Sequence, residues 1–155
     1  MSLERAGGGK VSELSVSLSK PEDGEPQSPI PATTMIHFAV TTLLAETSEY
    51  DLLVFHVSND DHYLTIQRRA DLKPGRFGDI RFECDGQMWS GYDVIRHLDA
   101  SPDRLRIALD PAKATKFEGR CQYDIALAID PADKPAALRF LKKLFAGTEL
   151  LTVAE

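Results

Sequence analysis

From residue 34 onward apolar and polar positions alternate with a period of two almost without a break, the pattern of strands with one buried face. Ile36, Phe38, Val40, Thr42 and Leu44 fall on one face of a first strand. Asp51–Val57, DLLVFHV, is nearly all apolar, which predicts a central strand covered on both sides. Ser58-Asn-Asp-Asp61 is a turn signal, and Tyr63–Arg69 resumes as the paired strand. Ile80, Phe82 and Cys84 alternate with charged residues and run straight into Asp85-Gly86. That dipeptide predicts a two-residue hairpin, whose central positions both need φ > 0, with Gln87–Tyr92 as the return strand. A second hairpin follows: Val94–Leu98, a turn over Asp99–Asp103, and Arg104–Leu109 with Leu105, Ile107 and Leu109 inward.

Asp110-Pro111 offers an N-cap carboxylate and a proline at the first helical position, so a short helix is expected there, ended by Gly119. Cys121, Tyr123, Ile125, Leu127 and Ile129 make the cleanest amphipathic strand of the chain. Asp130-Pro131 or Asp133 opens a last helix with Ala137, Leu138, Leu141, Leu144 and Phe145 at spacings of three and four. Lys142 and Lys143 lie in its last turns, where the helix dipole favours cations, and Gly147 closes it. The expected fold class is α+β: a mainly antiparallel β-sheet, a short helix after residue 110, and a C-terminal amphipathic helix packed on the sheet. There is no internal repeat and no coiled-coil seam.

Residues 1–32 break the pattern. They hold Gly7-Gly8-Gly9, many serines and prolines, and no aromatic residue, a composition that buries too little apolar surface to offset the entropy of ordering it. Only Leu14-Ser-Val16-Ser-Leu18 alternates as an edge strand would. No apolar core follows the early charges, so this is no secretory signal; it reads as a flexible N-terminal segment, with a mis-assigned start or a partly vector-derived opening as the alternatives. The single folded domain is expected over 33–155.

Charge and chemistry narrow the function by exclusion. The 155 residues carry 18 Lys plus Arg against 24 Asp plus Glu, a net charge of -6. An acidic chain is a poor match for a nucleic-acid binder, which neutralises phosphates with a basic face. No apolar run approaches the ~18 residues of a membrane span. Cys84 and Cys121 are too few for a disulfide framework and lack metal-ligand spacing. His37, His56, His62 and His97 are scattered over separate strands, so no metal or other cofactor is expected, even though His56 and His62 flank Asp60-Asp61. Ser90 precedes Gly91 without a nucleophile elbow around it, the cysteines fall at inward positions, and the glycine run precedes no strand–helix unit. No catalytic residue is assigned. The stretch DGQMWSGYD, Asp85–Asp93, gathers the only Trp, a Tyr, a Met and flanking carboxylates around a turn. Such side chains serve as interface anchors when exposed; the plainer expectation is that Met88 and Trp89 enter the core and Gly91 marks a bulge.

Over residues 50–146, several motifs in order resemble the immunity protein 10 family of bacterial polymorphic toxin systems. The matching pieces are DLLVFHV, then HYLTIQRR, close to that family's Tyr-Leu-x-x-Gln-Arg signature, and DGQMWSGYDVI, like its Gly-Gln-x-x-x-Gly-Tyr motif. RLRIALDPAKATKF, YDIALAID and ALRFLKKLF complete them. The resemblance implies a small cytoplasmic α+β protein that binds and neutralises a cognate toxin domain and has no enzymatic activity. Many such toxins are basic nucleases, toward which an acidic inhibitor is steered electrostatically. The expected interface comprises Asp60, Asp61, Asp85 and Asp93 at loop tips, with Trp89 and Tyr92 as anchors. The motif residues Tyr63, Gln67, Arg68, Gly86 and Gly91 are expected to maintain the fold, Arg68 by pairing internally with a carboxylate. Two rival readings have their own signatures. A small-molecule-binding domain would enclose a pocket lined by Tyr63, Trp89 and Tyr123. A hydrolase would bring a His–carboxylate or Cys–His pair into a cleft.

Overall fold

A computed structural model describes residues 35–154. The N-terminal segment, including the alternating Leu14–Leu18, lies outside the described residues. The chain forms β1 (Met35–Val40), β2 (Thr42–Thr47), β3 (Leu52–Ser58), β4 (Tyr63–Arg69), β5 (Ile80–Cys84), β6 (Ser90–Tyr92), β7 (Ile95–Ala100), β8 (Arg104–Leu109), β9 (Gln122–Leu127), helix α1 (Lys134–Leu144) and β10 (Leu151–Val153). Single 3-10 turns occupy Gln87–Trp89, Thr115–Phe117 and Pro131–Asp133.

These strands form two five-stranded sheets. Sheet I has the order β10-β7-β8-β9-β1 and sheet II the order β2-β3-β4-β5-β6. Sheet II is antiparallel throughout. Sheet I is mixed, because β9 pairs with β1 and β7 with β10 in parallel. The inward residues of both sheets belong to one apolar cluster, in which Phe82 of β5 meets Tyr123 of β9 at 5.1 Å between ring centroids. Ala137, Leu138, Leu141 and Leu144 of α1 are buried in the same cluster, so the helical stripe read from the sequence is the face that leaves water. Among the described residues no helix is long and apolar enough to cross a membrane.

Four expectations need correction. The first strand is two strands: the chain passes from sheet I to sheet II at Thr41, whose N–H bonds Ser58. The side-chain phase flips there, so Leu43 and Ala45 turn inward while Leu44 is 45% exposed. Strand β3 is buried on one face only, through Leu53, Phe55 and Val57; Leu52, Val54 and His56 are half-buried on the other. Asp85-Gly86 makes no two-residue hairpin. Asp85 does adopt φ 61°, but Gly86 is at φ 136° and ψ 158°, and a 3-10 turn delays β6 until Ser90 pairs with Glu83. The Trp89 ring turns toward Phe117 instead of continuing a strand. Finally, Asp110-Pro111 opens a capped turn and a 3-10 turn, not a helix. The Asp110 carboxylate accepts Ala112 N–H as read, but left-handed Glu118 and Gly119 stop the chain at once. At the last helix Asp130 caps the leading 3-10 turn through Ala132 N–H, with Pro131 beside it, while Asp133 makes no side-chain cap.

Candidate interaction surface

The residues singled out from the sequence do not form one patch. Apart from Gln67, within β4, the structure divides them between the two ends of sheet II, and it gives most of them internal work.

At one end stands the β3–β4 hairpin. The Asn59 side-chain oxygen accepts the N–H groups of Asp61 and His62, and its amide donates to Ala39, so the tip is held rigidly. Asp60 and Asp61 are exposed on this tip, and neither carboxylate has a hydrogen bond or ion pair among the described residues. Asp85, just beyond β5, is committed inward. One oxygen accepts the Nδ1–H of His62 at 2.9 Å and the other accepts Tyr63 N–H at 2.9 Å; the Arg120 guanidinium lies 3.7 Å away. His62 in turn stacks on Phe38. Tyr63 donates its hydroxyl to Glu83, which also accepts from Arg81 at 2.6 Å. The bond to Glu83, with burial and the carboxylate's charge, raises the Tyr63 phenol to about 12. Burial opposes ionisation of Glu83, but the bonds from Tyr63 and Arg81 outweigh it and hold its carboxyl below the usual range.

Trp89 is half-buried, its ring 6.3 Å from Phe117 with Arg120 over its face at 4.6 Å. Met88 beside it is 66% exposed, so the expectation that both enter the core holds for neither in full. Gly91 makes a close approach: a Cβ there would lie 3.0 Å from a Val94 methyl.

The opposite end is organised by Asp93. At φ 56°, a left-handed conformation that aspartate tolerates better than most residues, its carboxylate accepts Asp79 N–H at 3.1 Å and Ile80 N–H at 2.9 Å. Arg68 is 6% exposed and pairs with Asp79 at 2.9 Å, the internal carboxylate partner expected of it. It also donates to the carbonyls of Leu144 and Ala146 at 3.0 and 2.7 Å, satisfying acceptors at the end of α1. Gln67 is half-buried in mid-β4, in register with Val54 and Arg81. Tyr92 is 37% exposed and faces Phe77 at 6.1 Å. Phe77 and the exposed Tyr50 were not singled out from the sequence; Phe77 sits in an irregular stretch where no periodicity marks a face.

The signatures of the rival readings separate. Tyr123 is buried against Phe82, Tyr63 is bonded to Glu83, and Trp89 lies under Arg120, so each of the three rings has its own partner within the protein. A groove of about 420 Å³ touches Tyr123 on the outer side of sheet I, but its other lining residues include His97, Asp99, Arg106 and Asp124. His62–Asp85 and His97–Asp99 are the His–carboxylate contacts of the described residues. Cys84 and Cys121 are buried, and burial pushes the Cys84 thiol up to about 12 and raises that of Cys121, the reverse of an activated nucleophile. No group of His, Cys, Asp and Glu among the described residues is arranged to hold a metal ion.

No family model matches the chain, and neither a curated protein nor a solved structure matches it.

Proposed function

We propose that this chain is a bacterial, cytoplasmic immunity protein that binds and neutralises a cognate toxin domain, for instance a nuclease, and performs no catalysis itself. In this reading α1 packs on sheet II and keeps the toxin-facing turns in place through Arg68. One observation carries the proposal: Asp60 and Asp61 project from a rigid hairpin tip with nothing among the described residues to neutralise them. Exposed carboxylates held this way add little to stability, yet they steer a basic partner and suit sites meant for phosphates. The motif resemblance over residues 50–146 supplies the class of partner.

The test is titration calorimetry of the full chain against the toxin domain encoded by the adjacent gene, across salt concentrations. Binding near nanomolar that weakens as salt rises is expected. Two folded proteins that fail to bind would overturn the proposal.

A further inference from the structure

Seven large hydrophobic side chains of the described residues are substantially exposed, and four of them, Tyr50, Leu72, Phe77 and Tyr92, collect at the Asp93 end of sheet II. The main chain brings them together. Ala70 N–H bonds the carbonyl of Asp51, joining the β2–β3 turn to the segment that carries Leu72. Leu52, Arg69, Gly75, Gly78 and Tyr92 border one small cleft at this end.

Tyr50 and Phe77 stand on braced turns, and Tyr92 ends β6. Ser48 accepts the N–H groups of Tyr50 and Leu52 through its hydroxyl, which pins a β2–β3 turn with Tyr50 79% exposed. Phe77, 70% exposed, sits in a tight turn where Gly75 N–H bonds the Gly78 carbonyl at 2.6 Å. Gly78 is at φ 143°, and a Cβ there would lie 2.7 Å from the Asp93 carboxylate, so the turn is seated directly on its brace. Arg76 covers the Phe77 ring at 5.1 Å. Rigid Tyr, Phe and Arg side chains are the types that dominate interface energies, since little entropy is lost when they are covered. Exposing them together on turns braced from beneath is costly for a surface that stays in water.

The rim identifies the partner's chemistry. Glu49 and Asp51 flank Tyr50 and Glu46 lies on the strand leading to it, all exposed and without side-chain partners among the described residues, while the exposed cations of this end, Arg69, Lys73 and Arg76, lie on the Leu72–Phe77 side. We infer that the Tyr50–Phe77–Tyr92 end of sheet II is the affinity-determining contact for a folded protein with an apolar centre and a cationic edge that meets the acids of the Tyr50 turn. Resting on the function proposed above, that protein is the toxin domain. The Asp60-Asp61 tip then serves encounter and this end serves retention.

Stopped-flow or surface kinetics on the full chain and the adjacent-gene toxin domain separate these roles. Phe77→Ser and Tyr50→Ser are each expected to speed dissociation by about 30-fold or more while association changes by less than about threefold. Asp60→Asn/Asp61→Asn is expected to slow association at low salt. Met35→Ser, which removes an exposed apolar side chain from sheet I, is expected to change neither rate. Circular dichroism and a melting curve on each variant establish that it folds. If the wild-type chain binds and Phe77→Ser and Tyr50→Ser dissociate at the wild-type rate, the inference is overturned while the immunity function stands. If the wild-type chain does not bind, both fall. If sedimentation shows a dimer of the chain that Phe77→Ser dissolves, the surface belongs to a second copy and the assignment to a toxin domain is wrong.

Discussion

At one end of sheet II a left-handed aspartate, Asp85, ties the chain leaving β5 to the β3–β4 hairpin; at the other a second left-handed aspartate, Asp93, ties the chain leaving β6 back to the start of β5. Both carboxylates are spent on N–H groups, and both ends leave neighbouring side chains in water. What they leave differs: two bare carboxylates at the Asp85 end, and aromatic rings among exposed acids and bases at the Asp93 end. The comparison separates two roles that look alike in a sequence. An aspartate whose oxygens already accept backbone hydrogen bonds is a fastener, and under the function proposed above the contact chemistry falls to residues a few positions away that have nothing to hold.

The Asp93 end carries the greater structural load because Arg68 also acts there. Removing that guanidinium strips the Leu144 and Ala146 carbonyls and Asp79 of their donor in a nearly closed site. Arg68→Ala is therefore expected to destabilise the fold by about 3 kcal/mol or more in urea unfolding. Arg69→Ala, one position along, removes an exposed pair with Asp71 and is expected to leave the urea midpoint where it was. Equal losses from the two would show that Arg68 is no clamp.

Asp93→Ala should cost less, about 2 kcal/mol, by combining lost backbone acceptors with a left-handed φ that alanine resists. Asp93→Gly retains the conformation and isolates the hydrogen-bonded part. Should glycine prove as stable as aspartate in urea unfolding, the carboxylate is not what braces this end.

The sequence pattern was sufficient for most of β4, β5, β8, β9 and α1, where one face is continuously buried and the period declares it; for β3 it located the strand, but the apolar run hid that one face only is buried. It was insufficient where tertiary contacts decide. The crossing at Thr41 and the three-residue strand β10 are too short to show a period, and the parallel pairings of β1 and β10 join segments far apart in the chain. Asp85-Gly86 was rightly read as a place for φ > 0, but its carboxylate is captured by His62 and Tyr63, and that capture changes the turn. The same limit applies to the candidate site. Asp60 and Asp85 are alike as loop-tip acids in sequence, and only the positions of neighbouring N–H groups tell them apart.

The smallest expected effect belongs to the Asp85 end, where Tyr63 and Glu83 share a hydrogen bond on the outer side of the sheet. The Tyr63 phenol titrates near 10 when unfolded and at about 12 when folded. Its contribution is therefore complete below about pH 10 and is lost as pH rises toward the folded value, because the unfolded chain releases the proton first. Glu83 works in the opposite direction: its lowered folded pKa gives stability that is present above the unfolded carboxylate value and lost as pH falls through the folded one. Tyr63→Phe removes the shared bond, costing about 1 kcal/mol near neutrality. Urea midpoints followed across pH should then show a shallower alkaline decline than wild type and a weaker acid decline. Some alkaline slope must remain, since burial also raises the Tyr123 phenol and the variant keeps it. An alkaline limb identical to wild type would mean that Glu83 does not hold the Tyr63 proton, and that this end of the sheet is braced by Asp85 and Asn59 without it.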